Sequence, residues 1–456
     1  MPGPLHTPHD QLAGRERWVV VTRHLSPEEA AGLLRAEDRL AVPLGPGQPV
    51  HFLRALGTRD DFTSLTVFAA LLVELYPLFT RPGVRLLSAF FGPLERVLRA
   101  AGHDVEFLPL GFRAFGELAR RFAPRVMATA TAPPHRGRLS LSLHSGATAA
   151  ELTRCGRDPD RLLIVEANQQ LPRARGLPPD YPHSLALEDV DVLIDADYAP
   201  FSLPDPEPTP DERAIADRAC SFIPSGATLQ TGIGAIPGTV AKALAQGDGG
   251  DYGIHSEMFT SGLMHLQRAG KVTNRKGTFD GVSVATFATG TRELYSWLHD
   301  RDDVAFLPVD VVNDPAIISR NRNMVSVNGA LSIDLLGQVA ADRLGVHQYS
   351  GVGGHEDFLM GTAGSPHGRS LLCLPSTALL AGQRVSRIVG HFEPGTTITT
   401  PRHHIDVVIT EFGVAELWGK SEIGRAGALI DIAHPDSREG LRAAAERLGL
   451  TRTSRP

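Results

Sequence analysis

Pro204-Asp-Pro-Glu-Pro-Thr-Pro-Asp211 constrains this chain more than any other stretch. Four prolines at alternate positions fix φ four times and remove four backbone donors, which predicts neither a helix nor a central strand. The segment reads as an extended linker. At 456 residues the chain exceeds one typical domain, and the linker supplies the division. We place a first domain over 1–203, the linker over 204–212 and a second domain over 213–456.

Both halves alternate short apolar runs with segments of helical period. In the first, Trp18–Val21, Leu65–Phe68, Val84–Leu87, Arg161–Glu166 and Asp189–Ile194 predict strands. Pro27–Leu34, with Ser26 as N-cap, and Phe112–Phe122 predict helices. In the second, a strand ends at Thr228–Gln230 and Pro237 opens a helix running to Gln246. Apolar runs recur at 283–287, 304–307, 371–374 and 406–410, and Val325–Asp334 alternates as a half-buried strand would. Such βα alternation predicts an α/β protein of two open, mainly parallel sheets covered by helices.

Composition narrows the function. Hydrophobic residues make up 42%, enough for buried cores, and the net charge of −6 with no long basic block argues against a nucleic-acid partner. No apolar run has the length of a membrane span, and Met1-Pro-Gly-Pro-Leu-His6 lacks the pattern of a secretory signal. Cys155, Cys220 and Cys373 lie far apart without a C-x-x-C pair. That spacing argues against zinc and disulfide frameworks and fits a reducing cytosol, so a cytoplasmic location is expected. His403 and His404 are adjacent with no companion ligands, which reads as a polar loop and not a metal site.

The chemistry centres on Asp251-Tyr-Gly-Ile-His-Ser-Glu-Met-Phe-Thr-Ser-Gly262, where Glu257 stands alone in a neutral run. Gly232-Ile-Gly-Ala-Ile-Pro-Gly238 lies upstream and Gly351-Val-Gly-Gly-His355 downstream. A carboxylate between two loops of backbone donors suits covalent chemistry on an acyl group. Taken alone, Glu257 reads first as a solvated surface acid, as most glutamates are, and only the resemblance given below favours a nucleophile. His255, two residues away in an extended segment, either orients the carboxylate or is a hydrogen-bonded structural histidine. The first glycine loop has one residue too many for a dinucleotide fingerprint, so it is a tight turn or an anion contact at a helix start. Gly353 and Gly354 form an oxyanion hole, a ligand cradle or a loop turn. Asn328, Ser332 and Asn168 divide evenly between ligand contact and turn chemistry.

These segments resemble the acetyl-CoA hydrolase/transferase family, best known for its 4-hydroxybutyrate CoA-transferases. The matching words are Gly-Ile-His-Ser-Glu-Met (253–258), Pro-Val-Asp-Val-Val-Asn-Asp-Pro (308–315), Asp-Leu-Leu-Gly-Gln-Val (334–339), Tyr-Ser-Gly-Val-Gly-Gly-His-Glu-Asp-Phe (349–358), Leu-Pro-Ser-Thr-Ala (374–378), Thr-Glu-Phe-Gly-Val-Ala-Glu-Leu (410–417) and Ala-His-Pro-Asp (433–436). Gly45-Pro-Gly-Gln-Pro49 and Val165-Glu-Ala-Asn-Gln-Gln-Leu-Pro172 add first-half matches.

The resemblance implies a class I CoA-transferase fold with the site in an interdomain cleft. It implies Glu257 as the nucleophile, forming a glutamyl-CoA thioester, with Gly353 and Gly354 as the other catalytic positions. Gly234, Ala235, Ile236, Pro237, Gly238, Asn328, Ser332 and His355 would contact CoA. No cofactor is held permanently; acyl-CoA, with acetyl-CoA foremost, and small carboxylic acids are the substrates, and a homodimer is a possible assembly. An ionised nucleophile requires no raised pKa.

Two departures stand out. His355 replaces the family's usual Gln and brings a possible charge near the ordinary histidine pKa of about 6.5. Leu379 follows Ala378 where many relatives carry Lys, so a cation for the CoA phosphates is lost or passes to Arg384, Arg387 or Arg402. The rival readings are an acetyl-CoA hydrolase, a non-catalytic acyl-CoA-binding protein and a nicotinamide oxidoreductase. The intact Glu257 disfavours the second and the glycine spacing the third.

Overall fold

The computed structural model describes residues 22–144, 146–380 and 382–451. The strand expected at Trp18–Val21 lies outside them. An eight-stranded parallel sheet organises the first half. Its spatial order is Arg23–His24, Val192–Ala196, Leu162–Asn168, Val126–Thr131, Glu37–Ala41, Ser64–Ala69, Val84–Ser88 and Val105–Phe107. Its two faces bury separate cores, one around Phe52, Tyr76 and Phe79, the other around Phe68, Phe115 and Leu163. Phe68 and Phe115 meet at 4.8 Å between ring centroids. Each side chain so buried contributes roughly 1.5–3 kcal/mol relative to exposure.

The order in which successive strands are added reverses between Glu37–Ala41 and Val126–Thr131, which themselves pair in parallel. In open α/β sheets that reversal leaves a crevice at the strands' carboxyl ends. Here the loops after both strands meet there: a Cβ on Gly47 would strike His144. The second loop continues onto the other half, where Gly146 N–H donates to Thr286 O (3.1 Å) and Ala288 N–H to Leu143 O (2.8 Å).

The second half holds a six-stranded sheet ordered Gly253–Ile254, Thr228–Thr231, Met324–Gly329, Arg369–Cys373, Val407–Thr410 and Gly413–Glu416. All pairs are parallel except the last. The expected single strand over Val325–Asp334 is instead two. Met324–Gly329 is central, its first four residues buried, and Ser332–Asp334 joins a separate small sheet. A strand flanked on both sides by parallel neighbours under helices cannot keep one wet face.

The proline segment is extended but shorter than expected. Chain without regular structure ends at Thr209, and a helix begins at Pro210. Thr209 and Glu212 form a reciprocal capping box, and Pro210 occupies the first helical turn, where its missing N–H costs nothing. Upstream, Leu203 N–H donates to Gly290 O and Tyr295 Oη–H to Phe201 O, tying the segment to the second half.

Candidate active site

Glu257 leaves the carboxyl end of Gly253–Ile254 in an extended stretch laid beside 284–288. Its carbonyl accepts from Thr286 N–H at 3.0 Å, and Met258–Phe259 pairs with Phe287–Ala288. Ser256 ties this stretch to the first glycine loop: its hydroxyl donates to Thr231 O and accepts from Thr231 N–H. The nucleophile candidate and that loop are therefore one construction at the end of the sheet.

Asn313 Nδ2 donates to Glu257 Oε2 at 2.7 Å. Asn313 caps the short helix Val309–Val312, and Asp314 caps the next, Pro315–Ile318, so its side chain is held between two helix ends. His255 supports the same construction. It is buried, its Nε2 donates to Val312 O at 2.8 Å, and burial lowers its pKa to about 4, which keeps it neutral. It makes no hydrogen bond to Glu257, so the structural reading of His255 holds.

The second glycine cluster closes over the carboxylate. Gly353 has φ +59, a conformation that favours glycine. A Cβ on Gly354 would lie 2.1 Å from Glu257 Oε2 and 2.2 Å from Asn313 Nδ2, so only glycine fits. The first half presses this loop from outside. A Cβ on Gly351 would lie 2.8 Å from the Phe90 ring, and Phe112 N–H donates to Gly353 O at 2.9 Å. Arg113 reaches Asp357 at 3.4 Å and Asp314 at 3.8 Å.

Burial raises the Glu257 pKa to about 7, with the nearby Asp357 charge pushing the same way and the Asn313 and Gly354 donors opposing. The residue keeps part of its surface open, although its carboxylate is set deep. Nucleophilic attack requires no raised pKa, yet the site makes charge on Glu257 costly. A carboxyl whose pKa rises on folding lowers stability increasingly as pH climbs from its unfolded value of 4.5 to about 7, and fully above. Glu257→Gln is accordingly expected to raise stability at pH 8 by on the order of 1–3 kcal/mol and to be neutral below pH 4.5. Thermal melts across pH check this; an equal effect at both ends would contradict it.

The other sequence candidates fall at the same sheet end with different commitments. Gly234 (φ +122) caps the twelve-residue helix Ala235–Gln246, and the space a Cβ would enter at Gly232 and Gly238 is open. Pro237 lies inside that helix and does not open it, and the Ile236 side chain packs in the core with Val240 and Leu244. Asn328 ends its strand with Nδ2 enclosed and unpartnered. Ser332 begins the next strand. His355 opens the helix His355–Gly364, and burial lowers its pKa, so the charge expected from sequence is disfavoured. Asn168 is spent on structure: Oδ1 accepts from Gln170 N–H in its own turn and from Tyr198 N–H beyond the neighbouring strand, and Nδ2 donates to Tyr198 O. Leu379 is 79% exposed in a hairpin opposite Arg384.

Sequence reasoning missed Asn313 and Asp357, though both stand in the quoted words. Several residues of the segments that build this site carry buried polar atoms without a partner: Thr231 Oγ1, Thr286 Oγ1, Asn313 Oδ1, Asn328 Nδ2 and His355 Nε2. Buried polar atoms without partners usually have a role beyond the resting fold. A cleft of about 790 Å³ lies elsewhere, between Arg96 and Arg99 of the first half and Arg343 and His347 of the second. Among the described residues no cluster has the makings of a metal site, and no helix is long and apolar enough to cross a membrane.

A family model for the acetyl-CoA hydrolase/transferase C-terminal domain matches residues 290–445. The 4-hydroxybutyrate coenzyme A transferase of Clostridium kluyveri is 40% identical over 426 residues, covering 91% of this chain and 96% of the relative. The chain belongs to the acetyl-CoA hydrolase/transferase family. RipA from Yersinia pestis superposes with a TM-score of 0.85 at 32% identity, over 94% of this chain and 98% of that one. A 4-hydroxybutyrate CoA-transferase from Porphyromonas gingivalis gives 0.74 at 28% identity, over 93% and 98%. The fold is that of the class I CoA-transferases, and the chain is an enzyme of a family whose named relatives transfer CoA.

Proposed function

We propose that this enzyme moves CoA between a short-chain acyl-CoA, with acetyl-CoA as donor, and a small carboxylic acid such as 4-hydroxybutyrate, through a glutamyl-CoA thioester on Glu257. The observation that carries this reading is the Glu257 carboxylate held at Oε2 by Asn313 Nδ2 and enclosed by Gly354. The free oxygen, Oε1, attacks the thioester carbonyl, the C–S bond breaks and CoA thiolate leaves. The thiolate then attacks the glutamyl carbon of the resulting anhydride, and the first acid departs as carboxylate. A second acid runs both steps backwards.

In the second step negative charge develops on a glutamyl oxygen. Asn313 Nδ2 already points at Oε2, and the Gly354 backbone also favours charge on this carboxylate. Donors fixed before the charge appears are what this step needs. The helix start at Gly234–Ile236, one residue before Pro237 and with Gly238 N–H already given to Gly234 O, suits the phosphates or the pantetheine arm, and Asn328 Nδ2 and His355 Nε2 offer polar contacts. The steps call on no further group.

Hydrolysis is the second reading, since water in place of the thiolate would consume the anhydride. The depth of the Glu257 carboxylate favours transfer, because it limits access of water. Incubation of acetyl-CoA with a panel of acids, scored by mass for new thioesters, tests the choice. Transfer predicts new thioesters only with acceptor; rapid release of free CoA without acceptor would make the enzyme a hydrolase. Initial rates should further give parallel double-reciprocal lines, because the first acid leaves before the second enters. Intersecting lines would indicate direct transfer in a ternary complex.

A further inference from the structure

Asp357 enters none of these steps, yet it is buried beside the carboxylate that does. It lies in the first turn of helix His355–Gly364, three residues past Gly354, with its side chain 11% exposed. Oδ1 faces Arg113 of the first half at 3.4 Å, and Oδ2 is enclosed without a partner. Asn313 stands between the two acids, donating to Glu257 and also acting on Asp357. A buried carboxylate left partly unsatisfied next to another is costly, so its presence calls for a reason.

Few other charges face the pair. On the same helix burial lowers the His355 pKa, which disfavours a charge there, and Glu356 is engaged with His404 at 3.0 Å. On the Asn313 side Asp314 shares Arg113 with Asp357. On Glu257's own strand His255 is neutral, and Lys276, which acts on it, donates to the carbonyls of Phe279 and Val282. The first half contributes Arg113.

We propose that Asp357 is a positioning residue for the nucleophile: its carboxylate, paired with Arg113 and linked to Glu257 through Asn313, makes charge on Glu257 costly and so favours the covalent intermediate. When Glu257 attacks a thioester, its charge leaves with the thiolate and a neutral anhydride remains. Repulsion from Asp357 then disappears, which lowers the intermediate relative to the resting enzyme. Consistent with this, the Asp357 charge is among the causes that raise Glu257, while burial lifts Asp357 itself to about 6 against the pull of Arg113.

The catalytic part of this proposal rests on the CoA-transfer reading, and the electrostatic part does not, so two measurements separate them. The first is thermal melting of the wild type, Glu257→Gln, Asp357→Asn and the double variant at pH 8 and pH 5. At pH 8 the glutamine is expected to stabilise the wild type by several degrees more than it stabilises Asp357→Asn, and at pH 5 the gap should close. Equal gains in both backgrounds at pH 8 would overturn the proposal whether or not the enzyme transfers CoA. The second is the pH profile of kcat/KM. In Asp357→Asn the acid limb should move to lower pH by about half a unit or more, and the equilibrium fraction of glutamyl-CoA enzyme should fall several-fold. A rate lowered uniformly with an unmoved limb would mean a purely structural role. If the asparagine variant does not fold, Asp357→Ser takes its place in both experiments.

Discussion

Glu257→Ala is expected to lower CoA transfer by at least about 10⁴-fold, the order seen when a covalent nucleophile is removed. The size of the effect follows from the steps: without an oxygen at this position neither the anhydride nor the glutamyl thioester can form. The Asn313 and Gly354 donors would remain, aimed at an empty position. Glu257→Gln should be nearly as inactive, because an amide is a poor nucleophile, while its fold should be at least as stable as the wild type at pH 8. That pairing of lost activity with gained stability distinguishes a strained catalytic acid from a structural one. Near-normal transfer by the alanine variant, measured with acetyl-CoA and an active acceptor, would remove Glu257 from the mechanism.

Gly354→Val should lower kcat by about 10²–10³-fold or more, the typical loss when a donor to a developing oxyanion is displaced. The new Cβ would overlap both Glu257 Oε2 and Asn313 Nδ2, so the carboxylate and its donor cannot both keep their places. The Gly234–Gly238 loop belongs to a different strand end, and KM for the CoA thioester should change only a few-fold. A variant with raised KM and unchanged kcat would assign the 351–354 loop to CoA binding instead.

Much of this architecture is legible because local signals agree with it. Ser26 and Glu29 form the capping box that opens the first helix, and the apolar runs at Leu65, Val84 and Leu162 are central strands of one sheet. Four of its strands were not legible, the short edge strands Arg23–His24 and Val105–Phe107 and two central ones. Val126–Thr131 alternates small Ala and Thr and lacks a run of large apolar residues, while Glu37–Ala41 begins with three charged residues. Only their neighbours across the sheet reveal them. Pro210 shows the reverse, since a proline that stops a helix elsewhere starts one when it follows Thr209.

The site divides the same way. Glu257 and the glycines carry their chemistry in their own sequence words. Asn313 gains its role from a carboxylate 56 residues away. Asp357, an acid in a first helical turn, reads in sequence as ordinary complement to the helix dipole. Arg113 bears on the site only because the two halves pack together. Burial, which moves the Glu257 pKa upward and those of His255 and His355 downward, is likewise a property of the assembled fold.

The central claim is that Glu257 carries CoA during turnover. It is tested most directly by incubating the enzyme with acetyl-CoA, quenching in acid, and mapping CoA adducts by peptide mass spectrometry, with a borohydride-treated sample alongside. The account predicts one CoA-bearing peptide containing Glu257, absent from Glu257→Gln, discharged by an acceptor acid and converted by borohydride to the alcohol at that residue. Full turnover with no adduct on Glu257, or an adduct on another residue discharged at the turnover rate, would contradict it.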